Sequence, residues 1–101
     1  MIINLTPHAI HFPDKSIFPS LQPARCKEES EVIGMVDGIE LIHRKYGEVT
    51  GLPEPKEGTL YIVSMIVREA LPNRKDIASP GDFVRDKDGN IIFTRNLIVN
   101  P

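Results

Sequence analysis

Four side chains in the second half of the chain are suited to binding an anion. Arg85 and Arg95 flank a predicted hairpin, so we expect their guanidinium groups to project from one region of a sheet. Arg74 and Ser79 precede this hairpin and would add a third guanidinium and a hydroxyl. Arginine binds phosphate or carboxylate through a planar fork of N–H donors. The spacing therefore predicts a site for a small anionic ligand.

The same arginines have a second interpretation, which the sequence leaves open. In this interpretation they and Arg68 pair with the carboxylates of Asp76, Asp82, Asp86 and Glu69. Ion pairs between such groups on a protein surface contribute little to stability and bind nothing. An anion site and a surface network of ion pairs are therefore both compatible with this part of the sequence.

A second cluster lies near the amino terminus, where Thr6 and His8 flank Pro7. A hydroxyl and an imidazole in a shared cleft are able to hold a ligand, with His8 as hydrogen-bond partner or general base. His8 and His11 are expected to point to opposite faces of a strand, because side chains alternate along it. Three histidines and the single cysteine do not make a zinc ligand set, so no metal and no cofactor is predicted.

The elements that position these residues begin with two hairpins. The apolar runs at 32–36 and 39–43 flank Asp37-Gly38, the strongest short signal for a two-residue type I′ turn. A second hairpin is predicted from 82–85 and 90–94, with its turn at Asp88-Gly89. Shorter strands are predicted at 2–5 and 8–12, and the Pro-rich segment 51–55 is expected to be a connector.

The segment after Gly58 predicts a buried strand followed by a helix. Residues 59–63 are β-prone and almost all apolar, which is typical of a central strand covered on both faces. Ser64 is a suitable N-cap, and Pro72 stops a helix of about residues 65–71. The apolar stripe of this helix would be Val63, Ile66, Val67, Ala70 and Leu71, with Arg68 and Glu69 facing solvent. Together these signals predict an α+β fold, mostly antiparallel sheet with hairpins and one short α-helix.

Composition limits the function classes that remain. With 101 residues, the chain is expected to be a single domain, residues 1–101. The net charge of −2 gives no basic field to attract duplex nucleic acid or an anionic membrane. The longest apolar run, residues 60–67, is too short to span a bilayer, and no secretory signal is apparent. We predict a cytoplasmic protein and, because several short edge strands would benefit from pairing, a homo-oligomer.

Two stretches carry a resemblance to a known group of proteins. The opening INLTPHAI and the central GLPEPKEGTLYIVSMIVREALPNRKDIASPGDFVRD resemble a family of small uncharacterised proteins found in bacteriophages, prophages and bacterial genomes. The resemblance covers most of the chain, least clearly residues 15–46. It implies a context, since short phage proteins without enzyme motifs are often accessory factors that blunt host immunity.

We therefore expect a binding protein more than an enzyme, with no catalytic residue assigned. The leading hypothesis is a phage-type accessory protein that captures a small anionic ligand, such as a nucleotide-derived immune signal, through Arg74, Ser79, Arg85, Arg95, Thr6 and His8. The first alternative is a protein-interaction module that inhibits a host defence protein. The second is a minimal phosphoester hydrolase that uses His8 and a carboxylate.

Overall fold

A computed structural model describes residues 1–101, and it confirms a fold of many strands and one short helix. No helix is long and apolar enough to cross a membrane. In chain order the elements are β1 (Ile2–Asn4), β2 (Ile10–His11), β3 (Ile17–Phe18), β4 (Arg25–Val36), β5 (Ile39–Thr50), β6 (Leu60–Ile62), α1 (Met65–Ala70), β7 (Ile77–Pro80), β8 (Phe83–Arg85), β9 (Ile91–Thr94) and β10 (Leu97–Val99).

The centre of the molecule is a four-stranded sheet in the order β1-β6-β7-β10. β6 pairs in parallel with β1 on one side and β7 on the other, and β10 closes the sheet antiparallel to β7. Ile62, Val63 and Ile77 are completely buried here. The predicted central strand is confirmed, because near-continuous apolar character belongs to a strand flanked by parallel neighbours.

Helix α1 connects β6 to β7 and has the predicted cap. The Ser64 hydroxyl accepts a hydrogen bond from the Val67 amide at 3.3 Å, and the helix ends at Ala70. Val67 is buried, and Glu69 is exposed as expected. The prediction that Arg68 faces solvent is wrong. Its Nε donates to the Ser79 hydroxyl at 2.8 Å, so its long side chain lies back over the sheet.

Asn100 joins the end of the chain to the end of this helix. Its amide nitrogen donates to the main-chain oxygens of Arg68, Leu71 and Arg74 at 3.3, 2.9 and 3.0 Å. Its side-chain oxygen accepts from Arg68 Nη1 at 3.3 Å. Carbonyl groups at a helix C-terminus lack helical partners, and this buried amide supplies one beside the amides of Leu71 and Arg74, which bond to the Arg68 and Leu71 oxygens.

The long hairpin β4–β5, called the arm below (residues 25–50), is the largest departure from a compact shape. Its turn has positive φ at Asp37 (50°) and Gly38 (79°), which confirms the predicted type I′ geometry. Each strand has 12 residues, longer than predicted. Cys26 and Val49 at its base pack against the core. The radius of gyration is 16.0 Å, against about 13 Å for a compact domain of this length.

Two strands of the central sheet, β7 and β10, were not predicted. The sequence indicates only that Ser79 precedes the hairpin, whereas it lies in β7 and is buried. Ile77 and Ala78 are also buried, but their run is only four residues long and does not alternate. A short strand with a parallel neighbour gives no period-2 signal, so the sequence does not distinguish β7 from a loop.

Candidate ligand-binding cleft

An apolar cleft of about 420 Å³ lies between the N-terminal segment and the hairpin β8–β9. Its volume falls within the range of small-molecule sites. Five large apolar side chains contribute to the walls, and none of the lining residues is Arg, Lys, Asp or Glu. The lining residues are Thr6, His8, Ala9, Ile10, His11, Ser64, Pro80, Phe83, Ile91, Ile92, Phe93 and Thr94.

Two hydroxyl groups on the cleft wall have hydrogen-bonding capacity to spare. Thr94 lies opposite Phe83 in the β8–β9 ladder and is only 4% exposed. Its hydroxyl has no partner within the protein, and it is not fully buried, since no fully buried side-chain N or O atom lacks a partner. Thr94 borders the cleft, so this hydroxyl is available to a ligand there. The Ser64 hydroxyl accepts from the helix, and its own hydrogen remains free to donate. A ligand in the cleft would therefore meet two hydroxyl groups.

A buried hydrogen-bond network fixes the backbone that carries His8. Asn4 donates to the main-chain oxygens of His8 at 2.8 Å and Phe18 at 2.9 Å. Its side-chain oxygen accepts from the amide and the hydroxyl of Thr6 at 2.9 and 2.7 Å. Thr6 therefore acts mainly on the backbone, although it also borders the cleft. Sequence reasoning missed Asn4, whose only signal was a polar residue within an apolar strand.

His8 and His11 both line the cleft, contrary to the prediction that they face opposite sides of a strand. The reason is that residues 6–8 form a bend and Ala9 is in no strand, so the alternation on which the prediction rests begins only at Ile10. Both side chains are on exposed residues, at the rim of an otherwise apolar cleft. A carboxylate to assist His8 as a general base is not among the lining residues.

The structure does not bring Arg85 and Arg95 together. Arg85 pairs with Ile91 in the ladder, whereas the Arg95 amide bonds to the Asp82 oxygen at the other end of β8. Three residues along a strand separate these rungs by roughly 10 Å. Arg85 donates to the Gly89 oxygen of its own turn at 2.9 Å. Arg95 borders a separate depression beside Phe12 and Asp14.

Arg74 and Ser79 are both engaged within the protein. Arg74 donates two hydrogen bonds of 2.7 Å to the Asp76 carboxylate and a third of 3.1 Å to the Pro53 oxygen. The guanidinium hydrogen bonds lower the pKa of Asp76, and the same contact raises the pKa of Arg74. Ser79 accepts from Arg68 beneath the helix. Of the six predicted ligand-binding residues, only Thr6 and His8 line the cleft.

Potential metal ligands are also dispersed, since no three His, Cys, Asp or Glu side chains lie close enough to hold an ion. Comparison of the chain with protein-family models, curated proteins and solved structures gave no match. The resemblance to phage proteins therefore stays a prediction, and the function must be argued from the geometry of the cleft and the arm.

Proposed function

We propose that the protein binds a small nucleotide-like ligand in the cleft of Thr6, His8 and Thr94. The observation that carries this proposal is an apolar cleft of about 420 Å³ whose lining residues include two hydroxyl groups with free hydrogen-bonding capacity and two histidines. Concave sites with mostly apolar walls and a few polar groups are the usual form of small-molecule sites. The ligand class is the one that the sequence predicts, but the proposed binding site is the cleft and not the arginines.

The chemistry of the walls indicates which part of the ligand enters. Phe83, Phe93 and the aliphatic side chains provide surfaces for a planar heterocycle, and the hydroxyl of Thr94 provides a partner for its polar edge. A phosphate or carboxylate would remain at the rim beside His8 and His11, the only lining residues that can become cationic. A ligand with one acidic group fits this arrangement better than one with several.

A thermal-shift series with nucleosides, nucleoside monophosphates and cyclic dinucleotides tests the proposal. A ligand at 100 times its dissociation constant stabilises by about 2.7 kcal/mol, which for a domain of this size is roughly 10 °C or more. Thr94→Val keeps the shape of the wall and should reduce the shift at fixed ligand concentration. Ala9→Phe adds bulk to the cleft and should abolish it.

Arg85→Ala and Arg95→Ala are the matched controls, because both residues lie outside the cleft. They should bind like the parent. Loss of the shift in the arginine variants with binding retained in Thr94→Val would contradict the cleft and return the site to the arginines. No shift with any member of the panel would contradict the proposal as a whole.

The biological role that fits such binding is sequestration of a nucleotide-derived signal in the cytoplasm of a phage-infected cell. This part of the proposal is supported by the sequence resemblance alone. Mass spectrometry of the ligand recovered after incubation separates sequestration from the hydrolase alternative. An intact ligand is expected, since the cleft offers His8 no carboxylate partner.

A second candidate function, a protein-interaction module, is favoured by the arm. Seven large aliphatic side chains between residues 32 and 42 are exposed, and monomeric proteins rarely expose a contiguous apolar patch of more than a few hundred Å². A host defence protein is one partner that would cover such a surface. Retention of the purified host factor by the wild-type protein, and not by a variant with charged residues in the arm, would support this candidate.

A further inference from the structure

The arm presents two different faces along its length. In an antiparallel ladder, directly opposed residues share a face and consecutive residues alternate. The outer face therefore carries four rungs, namely Val36 with Ile39, Gly34 with Leu41, Glu31 with His43, and Glu29 with Lys45. The inner face carries Met35 with Glu40, Val32 with Ile42, Ser30 with Arg44, and Glu28 with Tyr46. Ile33 is the extra residue at a bulge between them.

The inner face turns toward the body of its own chain at the base of the arm. The Tyr46 hydroxyl lies 3.5 Å from the Glu69 carboxylate on α1. The outer face therefore points away from the helix and is free to meet another molecule. Its end is entirely uncharged, since Val36, Ile39, Leu41 and Gly34 precede the first charged rung.

We infer that the outer face of the arm packs against the outer face of a second copy, with the two arms parallel and stacked face to face. A two-fold axis along the arms would place β4 of one copy over β5 of its partner, because such an interface uses the same patch on both chains. The inference concerns a different surface from the cleft and does not depend on the proposed function.

Each outer-face rung is complementary to itself in this arrangement. Val36 would lie over Ile39 of the other copy. Leu41 would enter the open space above Gly34, where an added side chain would meet no heavy atom within 4 Å. Closer to the base, Glu31 would lie over His43 and Glu29 over Lys45, so acidic groups would face basic ones. Stacking the opposite way, with the arms antiparallel, would set apolar rungs over charged ones.

The area involved is that of a small but specific interface. Twelve residues of extended strand span about 40 Å, and a ribbon two strands wide offers roughly 600 Å² per copy, near the lower limit for a stable complex. A two-stranded ribbon is also only marginally stable by itself, so the arm would gain from a second layer. Neither strand of the arm pairs with any other strand in this chain.

Leu41 and Ile42 provide a matched test. They are adjacent, their exposures are 43% and 44%, and they point to opposite faces of the arm. Sedimentation velocity on the full-length wild-type protein should show a concentration-dependent dimer. Leu41→Glu should weaken it by about 30-fold or more, as expected for a buried interface residue. Ile42→Glu should leave the dimer unchanged.

Gly34→Gln is the second variant, since a side chain there has open space around it in the single chain. In the dimer it would occupy the space needed by the other copy's Leu41. It should keep the circular dichroism spectrum of the wild type and lose the dimer. A wild-type protein that is monomeric throughout the measured range would overturn the inference. Equal dissociation by Leu41→Glu and Ile42→Glu would also overturn it, as would a Gly34→Gln variant that dimerises normally.

Discussion

In the central sheet the side chains of Ile62, Val63 and Ile77 have no exposure, whereas Val36, Ile39 and Leu41 in the arm keep between 43% and 67% of theirs. Both sets are branched aliphatic residues, and all of them lie in strands except Val63, which directly follows β6. In the sheet, α1 crosses between β6 and β7 and covers one face. The arm is a ribbon of two strands, and beyond its base, between residues 32 and 42, nothing in its own chain covers its apolar side chains. An apolar strand pattern thus predicts a surface that something must cover. The order and packing of the elements decide whether the same chain covers it.

The largest expected effect comes from placing the same charge in both regions. Val67→Asp should unfold the domain, because an unpaired carboxylate in a dry core costs several kcal/mol against a total stability of about 5–15 kcal/mol. Val36→Asp in the arm should change the free energy of unfolding of the monomer by less than about 0.5 kcal/mol. Urea denaturation at a protein concentration below dimer formation measures both.

Comparable destabilisation by the two aspartates would show that the tip of the arm is packed against the body. A folded Val67→Asp protein would show that α1 contributes little to the core. Either result would remove the distinction between a covered sheet and an uncovered arm.

A smaller effect is expected from Asn100, which ties the last strand to the end of α1. Asn100→Ala removes a donor shared by three main-chain oxygens, of which the Arg74 oxygen has no other, and we expect a loss of about 1–3 kcal/mol. Asn96→Ala is the control, because Asn96 is exposed and its side chain bonds only around Asp82. It should lose less than about 1 kcal/mol. If both variants lose the same free energy of unfolding in urea denaturation, the contacts of Asn100 contribute no more to stability than those of an exposed Asn.

Much of the fold could be predicted because its signals are local. Asp37-Gly38 specifies a type I′ turn by itself, and Ser64 with Pro72 brackets α1. The length of the arm could not be predicted in the same way. Its charged lower half, from Lys27 to Glu31, is a strand only because β5 pairs with it. Strand pairing is a non-local property, and charged residues in a ribbon look like a loop in sequence.

The candidate site was harder to predict than the fold. Thr6 and His8 were found from their chemistry, and they do border the cleft. The convergence of Arg85 and Arg95 rested on an assumed register, and the observed bulge beyond Val84 pairs Arg85 with Ile91 instead. Phe83 and Thr94, which face each other across the ladder, are ordinary strand residues in sequence. Only the packing of β8–β9 against the N-terminal segment makes them walls of a cleft.

The smallest of these effects concerns Asp76, whose pKa is lowered by its hydrogen bonds with Arg74. A carboxylate with a lowered pKa in the folded state stabilises the fold at all pH values above its ordinary pKa of 3.8, and this contribution is lost as the pH falls through the lower folded value. Asp76→Asn should therefore be less stable than the wild type by about 1–2 kcal/mol at pH 7. The difference should shrink below about pH 4. In an Arg74→Gln background the same substitution should have little further effect, because the partner is already gone. Urea denaturation from pH 7 to pH 2.5 measures the free energy of unfolding of the wild type, the two single variants and the double variant. If the stability difference between Asp76→Asn and the wild type stays constant over this range, the charges of Arg74 and Asp76 do not stabilise the fold.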